Sequence, residues 1–198
     1  ILTAENFGME IDRRIESGES YIVNERLEQH SYAKSIFPGA LNPLRIVVAR
    51  DVETEHLFLV SASQRIGTQQ SAPVSNAGAG GLIAPIDPDS GRLCESVRYV
   101  GGYGWHTSHP NTEAAIQGVE IPQWGELINE IMESVDALQW LDYAGLDIAV
   151  TPQGGWTVLE INSLPGIGSP QILGRPLLER PRIRKFFAQK GLNVEGRE

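Results

Sequence analysis

The chain has 198 residues, which is long enough for one substantial core or two small lobes, and its 41% of hydrophobic and 21% of charged residues are usual for a globular protein. A formal net charge of −9 without a cluster of Lys and Arg argues against nucleic acid as the main partner. The sequence has no apolar run that could span a membrane, and its single cysteine, Cys94, excludes an intrachain disulfide, so we expect a cytoplasmic protein without a membrane partner.

The first half of the chain predicts one helix followed by strands. The apolar residues Phe7, Ile11 and Ile15 recur every four positions, which predicts a helix over residues 3–17. Segments rich in Ile, Val, Leu and Phe predict strands, because these residues suit a pleated, half-buried surface. The last four of these strands form two antiparallel hairpins, and the glycine-rich segment 67–80 between them predicts a disordered loop or a lid. The predicted strands are 21–27, 44–50, 56–66, 81–86 and 92–100.

The second half predicts a long helix, a hairpin and a basic C-terminal helix. Apolar residues at helical spacing form one stripe over residues 124–138. The segment 145–162 predicts a hairpin, and residues 177–190 predict the final helix. The segments 29–43 and 101–121 show no regular pattern. Antiparallel hairpins with helices on one side predict an α+β fold rather than a βαβ repeat.

The predicted hairpin brings three oxygen ligands together. Its two strands are joined by the turn 152–155, and direct cross-strand neighbours share a face, so Asp147 lies beside Glu160, with Asn162 two residues on. Two carboxylates and an amide carbonyl suit hard divalent cations, chiefly Mg²⁺, with Mn²⁺ as a substitute. The alternative is the solvent-facing side of an amphipathic hairpin. The predicted pairs are Thr151–Trp156, Ala149–Val158 and Asp147–Glu160. The predicted apolar back consists of Leu146, Ile148, Val150, Leu159 and Ile161.

Charged and ring side chains outside this hairpin offer further candidates. Arg45 lies within an apolar strand and needs an acidic partner, either in an internal salt bridge or in an anionic ligand, and Arg65 closes the next strand. His106 and His109 are three apart, but they lie in an irregular segment, so their spacing is weak support for zinc. The basic tail could attract an acidic peptide or a second subunit, or form a solvated helix face. Its cations are Arg175, Arg180, Arg182, Arg184 and Lys185.

With these residues identified, the chain resembles the ATP-grasp ligases, specifically the glutamate-ligase-like branch and the related sugar-transfer-associated ATP-grasp proteins. The segment Tyr-Ile-Val-Asn-Glu-Arg-Leu27 resembles the hinge strand that contacts adenine, with Glu25 and Leu27 at the contact positions. Gly-Leu-Asp147 and Leu-Glu160-Ile-Asn162 resemble the metal-binding signature. The segment Leu-Asn-Pro-Leu-Arg-Ile-Val47 resembles the arginine-bearing strand, which places Arg45 at its arginine. The residues similar to the series around the phosphates are Arg65, Asn76, Gly80 and Gly81.

The resemblance implies the C-terminal lobe of the ATP-grasp fold, which is an antiparallel sheet with flanking helices. It implies that residues 1–19 are a helix remaining from the preceding lobe, that residues 20–175 form the lobe itself, and that residues 176–198 form a helical tail. No lysine stands at the positions of the family's phosphate-binding lysines. We therefore expect a missing N-terminal lobe, in cis or in trans, to complete the site.

The implied activity is the ATP-dependent joining of a small-molecule or peptide carboxylate to an amine through an acyl-phosphate. ATP and Mg²⁺ are the implied cofactors, with Arg45 and Arg65 as catalytic residues and Asp147, Glu160 and Asn162 as metal ligands. Two other functions stay open at this point. One is a non-catalytic nucleotide-binding or interaction module, and the other is kinase-type transfer of a phosphoryl group to a hydroxyl.

Overall fold

The computed structural model describes residues 3, 5–18, 20, 25–98, 104–172 and 176–194. The helices are α1 (Phe7–Glu16), α2 (Ser31–Ile36), α3 (Trp124–Asp136), α4 (Gly168–Ile172) and α5 (Pro181–Gln189), with short 3₁₀ helices at Ala77–Ala79 and Leu177–Glu179. The strands are β1 (Leu44–Arg50), β2 (Leu57–Ile66), β3 (Leu82–Pro85), β4 (Ser96–Arg98), β5 (Gly104–His106), β6 (Tyr143–Val150) and β7 (Trp156–Asn162). None of these helices is long and apolar enough to cross a membrane within the described ranges.

The seven described strands form one sheet in the order β5-β4-β3-β2-β1-β6-β7, and each neighbouring pair is antiparallel. The first predicted hairpin is the pair β1–β2, and the hairpin with the oxygen ligands is the pair β6–β7. Pairing between β1 and β6 places these two hairpins side by side, with β7 at the edge of the sheet. The predicted α+β fold, an antiparallel sheet with flanking helices, is confirmed.

The main core lies between one face of the sheet and α3. Side chains alternate along a strand, so every second residue of β1 and β6 faces this helix. The apolar stripe predicted for residues 124–138 supplies the other side of the core. Burial of each such Leu, Ile or Val contributes about 1.5–3 kcal/mol. The centre of the core consists of Leu44, Ile46, Val48, Leu127, Ile131, Val135, Leu146 and Ile148.

A smaller apolar cluster covers part of the opposite face, at the end of the sheet where β1 finishes. Helix α5 and the 3₁₀ helix before it pack there against β1 and β2. The part of this face near the start of β1 carries polar side chains instead, and it holds the candidate site. The members of the cluster are Val47, Ala49, Phe58, Val60, Leu177, Ile183 and Phe186.

Several predicted boundaries differ from the observed ones. Residues 21–24 of the predicted hinge strand lie outside the described residues, and residues 25–30 form no regular element. Helix α2 lies within the segment that showed no regular pattern, where the His30 side chain accepts a hydrogen bond from the backbone N–H of Tyr32. The predicted C-terminal helix is interrupted, because Pro181 lacks a backbone N–H and begins α5 rather than continuing a helix.

Candidate functional site

Strands β1, β2 and β6 bring polar side chains together on the face opposite to the main core. In the ladder, Arg45 pairs with Ser63 of β2 on one side and with Asp147 of β6 on the other. The register between β1 and β2 shifts so that Val60 is an extra residue. Because of this bulge, Val60 can join the apolar cluster beneath α5 while Ser61 stays on the polar face with Ser63.

A buried ion pair forms the centre of this polar face. The Arg45 guanidinium donates from Nε to Asp147 Oδ1 at 2.6 Å and from Nη2 to Oδ2 at 2.8 Å, which is a bidentate contact. The Arg65 Nη1 lies 3.5 Å from Asp147 Oδ2. The exposed fractions of the side chains are 8% for Asp147, 16% for Arg45 and 31% for Arg65. Arg45 is thus in an internal salt bridge, one of the two alternatives left open for it, while Arg65 is the more accessible cation.

Gly145 makes room for this ion pair. A Cβ at this position would lie 2.7 Å from the Cβ of Pro165 and 3.1 Å from Nη1 of Arg45. Any larger residue would therefore displace either the guanidinium or the loop that follows β7. The glycine of the Gly-Leu-Asp147 motif has a packing role at the site.

The register of β6 and β7 places Asp147 opposite Glu160 and Gly145 opposite Asn162. The prediction for the two carboxylates is confirmed, and the three oxygen ligands share one face of the hairpin. The predicted pairs nearer the turn are wrong, since Ala149 pairs with Thr157 and Val150 with Trp156. A bulge at Leu159 absorbs the extra residue and restores the register before Glu160.

The predicted apolar back of the hairpin is only half buried. Leu146, Ile148 and Val150 of β6 belong to the main core. Ile161 pairs with Leu146 and so lies on the predicted face, but it is 44% exposed, and the bulge residue Leu159 is 39% exposed. The reason is topological, because β7 is the edge strand, whereas α3 packs over β2 in the middle of the sheet.

The donor set of the hairpin fits Mg²⁺ in part. The Glu160 side chain is exposed, and among the described residues neither it nor the Asn162 amide has a side-chain hydrogen bond or ion pair. Asp147 is committed to Arg45, although each carboxylate oxygen keeps a second lone pair that could reach a cation. No group of three His, Cys, Asp or Glu that could hold a metal exists within the described ranges, so the amide of Asn162 is needed as the third ligand.

A small cavity of about 150 Å³ opens beside the ion pair. Arg45 and Arg65 line it, together with Ser61 and Ser63 of β2, and Gly166 closes it from the loop after β7. The two serines are absent from the sequence-based set of site residues. Their alternation with Arg65 in the pattern Ser-x-Ser-x-Arg could have indicated them, because residues two apart in a strand share a face.

A larger cavity of about 350 Å³ lies beside the segment that leads into β1. Leu27, one of the predicted adenine contacts, lines this cavity, whereas Glu25 is exposed and does not. Lys34 of α2 lies in the same wall. Lys34 is absent from the sequence-based set of site residues, so its position in the same cavity wall as Leu27 was missed by sequence reasoning.

The loop from Gly67 to Gly81 connects β2 to β3 and holds the predicted Asn76, Gly80 and Gly81. The Asn76 side chain accepts a hydrogen bond from the N–H of Gly78 at 3.0 Å. Gly80 adopts a positive φ of 100°, and the Thr68 hydroxyl donates to its carbonyl at 3.0 Å. A Cβ at Gly81 would lie 2.8 Å from the backbone oxygen of Ser75. These three residues shape the loop, and no contact between them and Asp147 is described.

His109 has a structural role. Its ring is 1% exposed and stacks on Phe37 with a centroid distance of 5.0 Å. Nδ1 accepts from the N–H groups of Asn111 and Thr112, so Nε2 donates to the Gly67 carbonyl at 2.8 Å. Burial lowers the pKa of His109 and holds the ring neutral.

The basic tail is largely occupied by partners within the chain. Arg182 pairs with Asp51 at 2.7 Å, Lys185 pairs with Glu53, and the Arg184 Nε donates to the carbonyl of Leu178. Arg180 donates to the carbonyl of Val60, which the bulge in β2 leaves available. Arg175 lies outside the described residues. These contacts favour a structural role for the tail over attraction of an acidic peptide.

The comparisons with known proteins agree with this arrangement. The family described as sugar-transfer associated ATP-grasp matches residues 13–186 of the chain. No curated protein and no solved structure matches it. The matched range contains the ion pair, the oxygen ligands of the hairpin and both cavities. The chain therefore belongs to the sugar-transfer-associated ATP-grasp family, and ATP binding is its function in general terms.

Proposed function

We propose that this chain supplies the Mg-ATP-binding wall of a ligase that joins a carboxylate to an amine through an acyl-phosphate. One observation supports this most strongly. Two carboxylates and an amide from β6 and β7 share a face with two guanidinium groups, both guanidinium groups approach Asp147, and both line the small cavity. That combination of oxygen donors and cations suits a metal-bound phosphate chain.

In the proposed reaction, an oxygen of the substrate carboxylate forms a bond to the γ-phosphorus of ATP, and the bond to the β,γ-bridging oxygen breaks to release ADP. The amine nitrogen then attacks the acyl carbon, loses a proton, and inorganic phosphate leaves. The first step brings anions together, so its barrier depends on the positive charge around the transferring group. A Mg²⁺ ion bound by Glu160, Asn162 and the outer lone pairs of Asp147 would supply part of that charge.

The two arginines have different roles in this proposal. Arg65 is the more exposed guanidinium and faces the cavity, so it contacts the transferring phosphoryl group. Arg45 donates from Nε and Nη2 to Asp147, and it acts mainly by fixing the orientation of that carboxylate. Arg45 is thus a positioning residue as well as part of the cavity wall.

The proposed nucleotide position runs from the larger cavity to the polar face. Leu27 would contact the adenine ring, and Lys34 in the same wall would approach its polar edge or a phosphate. We propose that a further lobe, in cis or in trans, covers the phosphates from the other side with the lysines that the matching positions lack. The exposed Glu160 side chain and the half-buried Asn162 side chain are accessible to such a partner.

Glu160→Gln is the sharpest test of the metal role, because Glu160 is exposed and no described contact of the fold depends on its charge. In an assay that includes the proposed further lobe, the variant should lower ADP formation at limiting Mg²⁺ by at least about tenfold, the loss that even outer partners of a metal produce. Glu133→Gln is the matched control, since it removes the same charge from an exposed position on α3. Equal Mg²⁺ dependence in both variants would overturn the metal assignment.

The bidentate contact between Arg45 and Asp147 favours a second candidate, a non-catalytic nucleotide-binding module. The reason is that Arg45 already neutralises the charge of Asp147, one of the proposed metal ligands. Hydroxylamine separates the candidates. A ligase releases a hydroxamate from the trapped acyl-phosphate, a kinase forms ADP without a hydroxamate, and a binding module forms neither. Only hydroxamate that requires ATP, Mg²⁺ and a carboxylate supports the ligase.

A further inference from the structure

Two serine side chains of β2 line the small cavity without taking part in the hydrogen bonds of the fold. Ser63 is only 6% exposed, and Ser61 is half-buried on the same face two residues earlier. Neither hydroxyl has a hydrogen-bond partner in the part of the chain that the structure describes. The Ser63 hydroxyl reaches the space of the cavity, beside Arg45, its neighbour across the ladder. A ligand that fills the cavity must therefore offer this hydroxyl a partner, because a buried hydroxyl left without one costs about 1–3 kcal/mol.

The other walls of the cavity indicate what that partner carries. Arg45 and Arg65 present guanidinium groups, which bind carboxylate or phosphate oxygens. Serine hydroxyls both donate and accept, so they suit a hydroxyl group of a ligand better than an oxyanion alone. Ser61 and Ser63 are about 6.8 Å apart along the strand, two rises of about 3.4 Å each. The cavity thus offers cations for an acid group and, beside them, two hydroxyls for a neutral polar group.

The volume restricts the ligand to a small group. About 150 Å³ corresponds to roughly five water molecules at about 30 Å³ each in the liquid. We propose that the cavity binds the carboxylate substrate of the ligase and that Ser61 and Ser63 select a small hydroxy acid, or the hydroxy-acid end of a larger molecule. This inference rests on the proposed function for the statement that the bound carboxylate is the group activated by ATP.

Selection follows from the cost of the unpaired hydroxyl. A ligand that carries a hydroxyl beside its carboxylate offers Ser63 a partner, whereas the deoxy analogue covers the Ser63 hydroxyl and leaves it unpaired. The difference of about 1–3 kcal/mol corresponds to a preference of about 5- to 150-fold for the hydroxy acid. Removal of the serine hydroxyl should abolish this preference, and the deoxy acid should then bind at least as tightly as it binds the wild type.

The test is a calorimetric titration of the chain with glycerate, propionate and inorganic phosphate, each with and without Mg-ATP. We expect wild-type protein to prefer glycerate over propionate by at least about fivefold. Ser63→Ala and the double variant Ser61→Ala/Ser63→Ala should bring that ratio close to one. Ser134→Ala, which alters an exposed serine of α3 bonded to the carbonyl of Glu130, should keep the wild-type ratio.

A thermal unfolding measurement tests whether the Ser63 hydroxyl has a structural role instead. Ser63→Ala should unfold at or above the wild-type midpoint, because it removes a group without a described partner. Ser96→Ala should unfold lower, since the Ser96 hydroxyl is buried and donates to the carbonyl of His106 at 3.2 Å. A fall for Ser63→Ala as large as that for Ser96→Ala would overturn the inference.

Three binding results would also overturn it. The first is equal affinity for glycerate and propionate, and the second is no binding of glycerate with or without Mg-ATP. The third is phosphate that binds more tightly than glycerate and loses affinity equally in Ser63→Ala, which would make the cavity a phosphoryl site. The ligase proposal fails separately. If hydroxy-acid preference persists while Glu160→Gln leaves ADP formation unchanged, the selective cavity stands and the ligase does not.

Discussion

Asp147→Asn tests whether the central carboxylate is part of the fold as well as a candidate metal ligand. The substitution keeps the shape of the side chain and removes its charge. Asp147 is 8% exposed and receives two hydrogen bonds from Arg45, of 2.6 and 2.8 Å. After the change, the Arg45 guanidinium remains mostly buried with a neutral partner that can accept at only one of the two positions.

The expected cost follows from the burial of the pair. Removal of one partner from a buried ion pair typically costs 3–5 kcal/mol. Since Arg45 keeps 16% exposure and the amide oxygen still accepts one hydrogen bond, we expect a loss near the lower end, about 3 kcal/mol. For a chain of this size, each kcal/mol lowers the melting temperature by about 2–4 °C, so the expected fall is about 6–12 °C.

The assay is urea and thermal unfolding without nucleotide or metal, with Glu133→Gln as the control for a lost surface charge. That control should stay within about 0.5 kcal/mol of the wild type. Replacement of both partners, in Arg45→Met/Asp147→Leu, should recover most of the stability, because no buried charge is left unpaired. A loss below about 0.5 kcal/mol for Asp147→Asn would refute the buried ion pair and favour a carboxylate that faces solvent or metal.

Three further predictions follow from local geometry. Gly145→Ala should destabilise the chain by about 1–3 kcal/mol in urea unfolding, since its Cβ would clash with Pro165 at 2.7 Å; wild-type stability would contradict the packing role. Burial lowers the pKa of His109, so the unfolded state binds its proton more readily and the free energy of unfolding should fall as pH decreases below about 6.5. His109→Phe should flatten this pH dependence between pH 5 and 7, and an unchanged dependence would show that other groups cause it. Ile161→Thr at the sheet edge should cost much less than Ile148→Thr in the core, and equal unfolding midpoints would show that β7 is covered.

The sequence predicted the site best where strand periodicity alone decides the outcome. Asp147 and Glu160 are opposed as expected, because direct neighbours on paired strands share a face. The pairs nearer the turn were wrong by one residue, since periodicity contains no signal for the bulge at Leu159. Ser61 and Ser63 were missed for a related reason. Their alternation with Arg65 indicates a shared face, but only the pairing of β1 with β2 places Ser63 beside Arg45.

The roles of the ring and cationic residues also depended on distant partners. His109 carried a weak metal signal, and its ring instead bonds to Gly67, which lies 42 residues earlier in the chain. The basic tail offered an acidic partner as one hypothesis, and its cations pair with Asp51 and Glu53 in the loop between β1 and β2. Such contacts join segments that are far apart in sequence, so composition and local spacing contain no information about them.

By itself, the sequence determined the α+β class, the hairpins β1–β2 and β6–β7 and the alignment of the carboxylates, because these follow from apolar periodicity and the alternation of side chains along strands. Only the tertiary structure decided that Asp147 is held by Arg45, that Arg65 is the accessible cation, and that two serines share their cavity. The physical reason is that burial and charge pairing depend on which strands become neighbours. The contact between β1 and β6 joins residues about a hundred positions apart, and that contact creates the site.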